Sequence, residues 1–135
     1  YTQDLDSESI PAYERVRAQL QAADAVLIVS PEHNRSMPAA VKNLLDIASR
    51  PAGKSLWGGK KTAVITASPG SYGGINSGLH IRQSLQAMSA DVMIAPEVFL
   101  SRAHTALADG QVSDARTAAF LNKFAAAFYG WAQAE

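Results

Sequence analysis

The chain contains no cysteine, which excludes disulfide bonds, thiolate metal sites and a cysteine nucleophile within these 135 residues. It also has no excess of charge, because 12 basic residues balance 12 acidic ones. A net charge of zero gives no sign of a nucleic-acid-binding surface or of a polybasic membrane patch. No apolar run approaches the roughly 20 residues of a membrane-spanning helix, and no signal peptide is visible. We therefore expect neither nucleic acid nor membrane as a partner, and a cytoplasmic location.

The length fits a single domain, residues 1–135, which is large enough to bury a sizeable core. Apolar runs of strand type alternate with segments whose apolar residues recur at helical spacing. We expect strands at 25–29, 62–67 and 91–95, and helices at about 9–23, between Ser36 and Pro51, at about 75–88 and at about 113–134. This alternation predicts an α/β fold, in which a parallel sheet has helices on both faces.

The most informative stretch starts with the strand at 25–29. Its five apolar residues run without a polar break and three of them are β-branched, so we expect burial on both faces. The polar segment 30–36 (SPEHNRS), here called loop 1, leads into a helix that Ser36 can cap and whose first turn suits Pro38. Because open α/β sheets bind ligands at the carboxyl ends of their strands, loop 1 is a candidate binding site.

A second segment repeats the order of strand, polar loop and helix. Residues 68–74 (SPGSYGG), here called loop 2, contain three glycines within five residues, which would let the backbone approach a flat ligand. A plain connecting loop is the alternative for loop 1 and loop 2 when each is taken alone. Since both follow strands of a parallel sheet, we expect them to lie side by side at its carboxyl edge.

Both loops resemble motifs of the NADPH-dependent FMN reductase family, which includes bacterial quinone, chromate and azo-dye reductases. The resemblance rests on Ser-Pro-Glu-His-Asn-Arg-Ser in loop 1, on Pro-Ala-Ala-Val-Lys-Asn and Ala-Ser-Arg-Pro in the following helix, and on Ser-Pro-Gly-X-X-Gly-Gly in loop 2. It covers essentially the whole chain, in order. Members commonly have Pro-Glu-Tyr-Asn in the first motif, where this chain has His33 in the tyrosine position.

The resemblance implies a flavodoxin-like three-layer α/β/α fold with a parallel sheet. In the family, a strand, a phosphate-binding loop, a helix and a second strand come before the point at which this chain starts. We therefore expect that this N-terminal strand–loop–helix–strand is missing here. The strand at 25–29 supports the same expectation, because soluble proteins avoid an exposed apolar strand at a sheet edge.

The resemblance also implies the chemistry of an FMN-dependent NAD(P)H oxidoreductase. Hydride would pass from NADPH or NADH to flavin N5, and electrons would pass on to a small-molecule acceptor such as a quinone, an azo dye or chromate. Because the flavin carries this chemistry, neither a catalytic side chain nor a metal is expected. The implied cofactor-binding residues are Pro31, Glu32, His33, Asn34, Arg35, Ser36, Ser68, Pro69, Gly70, Tyr72, Gly73 and Gly74. We expect Gly73→Val to weaken FMN binding and to leave the protein folded.

Other readings of the same residues stay open. A flavodoxin-like electron carrier would bind FMN without a nicotinamide site, although such carriers are usually strongly acidic and this chain is neutral. A flavin-free α/β scaffold is a further alternative. The resemblance implies a homodimer or homotetramer, with the helix turn after Ser36 and the helix after Gly74 as candidate contacts.

The aromatic residues are interpreted as core. Trp57 is expected to be a packing anchor rather than a ligand stack. The last helix carries aromatic residues at helical spacing, a pattern more typical of packing than of a cofactor site. These residues are Phe120, Phe124, Phe128 and Trp131.

Overall fold

The computed structural model describes residues 1–134, in which helices and strands alternate after a short 3-10 helix at Gln3–Leu5. The helices are α1 (Pro11–Ala22), α2 (Ala39–Ser49), α3 (Ile75–Ala87), the short α4 (Ala103–Ala106) and α5 (Ala115–Gln133). The strands are β1 (Ala25–Ser30), β2 (Lys61–Ala67), β3 (Asp91–Val92), β4 (Val98–Leu100), β5 (Leu107–Ala108) and β6 (Gln111–Val112). The predicted alternation is thereby confirmed.

The main sheet is parallel and has β2 at its centre. β1 pairs with one side of β2, whereas β3 and then β4 pair with the other side. The third predicted strand is shorter than expected, because pairing stops at Val92 and resumes only beyond Pro96. A proline has no N–H to donate to the neighbouring strand, so the strand is interrupted there.

One face of the sheet packs against α1, α2 and α3. The core on this face includes Ile28 and Val64 of the sheet and Ile81 of α3, all of them buried. Trp57 is completely buried among them, and its indole N–H donates a hydrogen bond of 2.9 Å to the carbonyl oxygen of Leu45. The prediction that Trp57 is a packing anchor is confirmed.

The opposite face packs against α5. Phe124 is buried there, and Phe128 and Trp131 pack around it against the sheet. Phe120 is 38% exposed, so the aromatic stripe was predicted correctly for three of its four members. No helix in residues 1–134, α5 included, has both the length and the apolarity to cross a bilayer.

The strand β1 differs on its two faces. Ile28 and Ser30 are buried beneath the helices, but Leu27 and Val29 point the other way and are 40% and 64% exposed. Among the described residues β1 is therefore an edge strand that buries one face only, and its burial on both faces stays a prediction that depends on the N-terminal elements. The other face is exposed because the helix on that side, α5, packs with Ala63 and Ile65 of β2 and with β4 instead of with β1.

Candidate functional site

Loop 1 and loop 2 leave the same edge of the sheet. They follow the carboxyl ends of β1 and β2, which are paired in parallel along six residues. The guanidinium carbon of Arg35 in loop 1 lies 5.4 Å from the ring centroid of Tyr72 in loop 2, a distance typical of a cation–π contact. The prediction that the two loops lie side by side is confirmed.

Loop 1 folds into a tight hairpin turn. His33 and Ser36 exchange two backbone hydrogen bonds of 2.9 Å, and the two residues between them, Asn34 and Arg35, have φ values of 49° and 66°. Positive φ at both central positions is characteristic of a type I′ turn. The turn keeps His33, Asn34 and Arg35 exposed at its tip.

Several backbone N–H groups of the two loops are free to bind a ligand. In the part of the chain that the structure describes, the N–H groups of Asn34, Arg35, Ser71 and Tyr72 donate no hydrogen bond to a protein atom. These donors suit a planar ligand with carbonyl oxygens along one edge, such as the pyrimidine ring of a flavin. The donor set thus fits the cofactor that the resemblance implies.

Loop 2 is held by a third segment, residues 100–103, which begins at the last residue of β4. Ser68 donates its N–H to Leu100 O at 3.0 Å and accepts from the Ala103 N–H at 3.0 Å. The Arg102 N–H donates to Gly70 O at 2.9 Å. This segment was not among the predicted site residues, although Ser101 and Arg102 directly follow a strand, as the polar residues of the other two loops do.

Gly73 and Gly74 are buried, and the chain itself fills the space beside them. They have φ values of 62° and 78°. A Cβ on Gly73 would lie 2.5 Å from the carbonyl oxygen of Phe99, and one on Gly74 would lie 3.0 Å from Cβ of Thr66. The solvent-facing position from which Gly73→Val was expected to leave the protein folded is therefore wrong, and a large loss of stability is expected instead. These glycines allow loop 2 to pass close to β4 and β2; contact of their backbone with a cofactor stays a prediction.

The Glu32 side chain turns from loop 1 towards α3. Its carboxylate oxygen Oε2 accepts hydrogen bonds from the backbone N–H groups of Asn76 and Ser77, at 3.0 and 3.3 Å. The Ser77 hydroxyl donates in return to the carbonyl oxygen of Pro31 at 2.9 Å. Loop 1 is thus attached to the first turn of the helix that follows loop 2.

Ser36 also contacts α3, although the sequence predicted it as a cap of α2. Its hydroxyl lies 2.9 Å from Nδ1 of His80. The helix α2 starts only at Ala39, and Pro38 occupies its N-cap position without a side-chain hydrogen bond. The capping prediction is wrong because Ser36 lies three residues before the first helical residue, where its hydroxyl meets α3 instead.

The remaining candidate side chains are distributed around the tip of the two loops. Pro31, Pro69 and Gly70 are exposed, and Ser68 is half-buried. The Tyr72 ring is 67% exposed. In residues 1–134 no three histidine, aspartate or glutamate side chains are arranged to hold a metal ion.

Arg82 of α3 has a largely buried side chain and lies outside the candidate site. Burial lowers the pKa of the Arg82 guanidinium from its ordinary value, against the opposing effect of Glu97. Arg82 donates a hydrogen bond of 2.8 Å to Met93 O, and it makes no hydrogen bond to loop 1 or loop 2. The candidate site itself carries the exposed cation Arg35 and the half-buried carboxylate of Glu32.

Comparison with known proteins gives a consistent result. The family model described as NADPH-dependent FMN reductase matches residues 1–105. A quinone reductase of Pseudomonas putida is 40% identical over 132 residues, which is 97% of this chain and 71% of the relative. A 2-hydroxy-1,4-benzoquinone reductase of Burkholderia sp is 36% identical over 132 residues, with 97% of this chain and 72% of the relative covered.

A solved structure extends the similarity to three dimensions. FerB, a flavoenzyme NAD(P)H:(acceptor) oxidoreductase from Paracoccus denitrificans, superposes with a TM-score of 0.89 at 36% sequence identity. The match covers 98% of this chain and 74% of FerB. It confirms the flavodoxin-like fold that the resemblance implied.

Proposed function

The chain belongs to the NADPH-dependent FMN reductase family, and on this basis we propose that it passes electrons from NAD(P)H, through FMN held by loop 1 and loop 2, to a quinone. It is an oxidoreductase with FMN as cofactor and NAD(P)H as co-substrate. The observation that carries the proposal is the pair of loops at one sheet edge, joined by Arg35 and Tyr72. Ligands of open α/β sheets bind at this edge.

The proposed site uses the exposed atoms of the two loops. When FMN is bound, it supplies the redox chemistry, in which hydride moves from the nicotinamide to flavin N5. The free N–H groups of Asn34, Arg35, Ser71 and Tyr72 would donate to the pyrimidine edge of the ring and stabilise the negative charge that develops there. The proposed side-chain and backbone contacts are Pro31, His33, Asn34, Arg35, Ser68, Pro69, Gly70, Ser71 and Tyr72.

A quinone is the proposed acceptor because two relatives carry quinone reductase names. Azo dyes and chromate are further proposed acceptors of the same reduced cofactor. Oxidation of NADPH by the purified protein with FMN and a benzoquinone tests this part of the proposal. If the protein binds FMN but does not oxidise NADPH or NADH when a quinone is added, the result would contradict the proposed reductase activity and favour an electron carrier.

Removal of the pair that bridges the loops tests the site. The double variant Arg35→Ala/Tyr72→Ala is expected to weaken FMN binding about tenfold, because a ring contact and a cation beside the ligand are lost together. Quenching of FMN fluorescence during titration measures the Kd. The matched control is Tyr129→Ala on α5, since Tyr129 is 66% exposed and Tyr72 is 67% exposed. Equal Kd values for the double variant and the control would contradict this placement of the site.

We also propose a homodimer, or a homotetramer built from such dimers, that uses the first turn of α2 and the helix α3. Leu79 on α3 supports the choice of surface, because it is a large apolar side chain with 48% exposure. Light scattering is expected to give at least twice the mass of one chain at micromolar concentration. A monomer mass at that concentration and above would contradict the proposal.

A further inference from the structure

We infer that Glu32 is a positioning residue, which sets loop 1 against the start of α3 and so fixes the distance between the two loops of the proposed flavin site. This inference rests on the proposed function. The resemblance implied that Glu32 contacts the cofactor directly. Its observed partners are instead the backbone N–H groups of Asn76 and Ser77.

The helix α3 has no capping group of its own. Its N-cap residue is Gly74, which has no side chain, and its first turn contains no acidic residue. The first N–H groups of a helix have no partner within the helix and carry a partial positive charge, so a carboxylate beside them is stabilising. Glu32 supplies this carboxylate from 44 positions earlier in the chain.

Further contacts join the same two segments. The Ser77 hydroxyl is completely buried and donates to Pro31 O at 2.9 Å. One turn later, His80 lies 2.9 Å from the Ser36 hydroxyl. Loop 1 is therefore attached to α3 on both sides of its exposed tip. Because α3 directly follows loop 2, a shift of loop 1 along α3 would change the gap between the two loops.

The hydrogen bonds between the Glu32 carboxylate and α3 can be removed by a single substitution. Hydrogen bonds to charged groups are worth more than neutral ones, and removal of Glu32 leaves the N–H groups of Asn76 and Ser77 without their acceptor. The substitution Glu32→Gln exchanges the carboxylate for an amide, which keeps an acceptor oxygen at the same position, whereas Glu32→Ala keeps none.

The experiment compares Glu32→Ala, Glu32→Gln and Asp114→Ala in the full chain. Asp114 is the matched control, because it caps α5 by accepting from the Thr117 N–H at 2.6 Å and makes no hydrogen bond to either loop. Glu32→Ala is expected to weaken FMN binding about tenfold, with most of the affinity regained in Glu32→Gln. Asp114→Ala is expected to lower the melting temperature and to leave the Kd for FMN unchanged.

Hydrogen exchange measured without FMN provides the second readout. Glu32→Ala is expected to speed exchange at the amides of Asn76 and Ser77 and across loop 1, while Glu32→Gln restores protection. Unchanged exchange in Glu32→Ala would overturn the inference. Equal loss of FMN affinity in both Glu32 variants, with normal exchange in Glu32→Gln, would also overturn it and indicate direct contact of the charge with the ligand. Failure of the wild-type chain to bind FMN would overturn the proposed function. The hydrogen-exchange data would still test whether Glu32 attaches loop 1 to α3.

Discussion

Replacement of Gly73 by alanine is expected to lower the free energy of unfolding by about 3–5 kcal/mol. The added Cβ would lie 2.5 Å from the carbonyl oxygen and 2.6 Å from the carbonyl carbon of Phe99. Both atoms belong to the backbone of β4, which cannot rotate away as a flexible side chain could. The φ of 62° adds to the loss of stability, because the left-handed backbone conformation costs residues other than glycine roughly 1–2 kcal/mol.

The matched control is Gly70→Ala in the same loop. Its Cβ would meet only the Ser68 hydroxyl, at 3.4 Å, and Gly70 is exposed and does not have a positive φ. Gly70→Ala is expected to change the free energy of unfolding by no more than about 0.5 kcal/mol, as substitutions at ordinary surface positions do. Urea denaturation of both variants measures the difference. A Gly73→Ala protein as stable as Gly70→Ala would contradict the close packing of loop 2 on β4.

A buried hydrogen bond explains why Gly73 cannot easily move out of the way. The Thr66 hydroxyl is completely buried and donates to the Gly73 carbonyl oxygen at 2.8 Å. Any shift that relieved the contact with Phe99 would also stretch this bond and leave a buried polar group without its partner. Loop 2 is therefore expected to be rigid at Gly73 and accessible only nearer its tip.

Replacement of Trp57 by alanine is expected to lower the free energy of unfolding by about 3–5 kcal/mol, the usual cost of emptying a large buried site. Trp57 is completely buried in the core between the sheet and α2. The variant also removes the indole N–H that bonds to Leu45 O. Loss of this donor leaves a carbonyl oxygen near the end of α2 without its side-chain partner.

The conservative variant Trp57→Phe separates packing from hydrogen bonding. It keeps an aromatic ring and is expected to cost about 1–2 kcal/mol, from the lost hydrogen bond and the smaller volume. Since Trp57 lies in neither loop, FMN affinity is expected to be unchanged in Trp57→Phe. Thermal and urea denaturation measure the stabilities, and FMN titration measures the affinity. A Trp57→Ala protein as stable as wild type, or a Trp57→Phe protein that loses FMN binding, would contradict the packing assignment.

The sequence by itself determined the order of the elements and the location of the candidate site. Continuous apolar runs and helical spacing are local patterns, so the strand before loop 1, the strand before loop 2 and the helix starting at Ile75 were predictable within a residue or two. The shared sheet edge followed from topology, because consecutive strands joined by a helix are parallel and their carboxyl ends meet. The family motifs added the cofactor.

Only the tertiary structure decided what the side chains within the loops contact. Glu32 and Ser36 both contact α3, across 44 positions of sequence. Gly73 packs on the backbone of β4, and Leu27 of β1 is exposed because α5 covers other strands. These contacts depend on how segments distant in sequence pack against one another. Neither the composition nor the spacing of residues in the sequence predicts that packing. A polar residue in a loop has many possible partners, and the packed fold selects one of them.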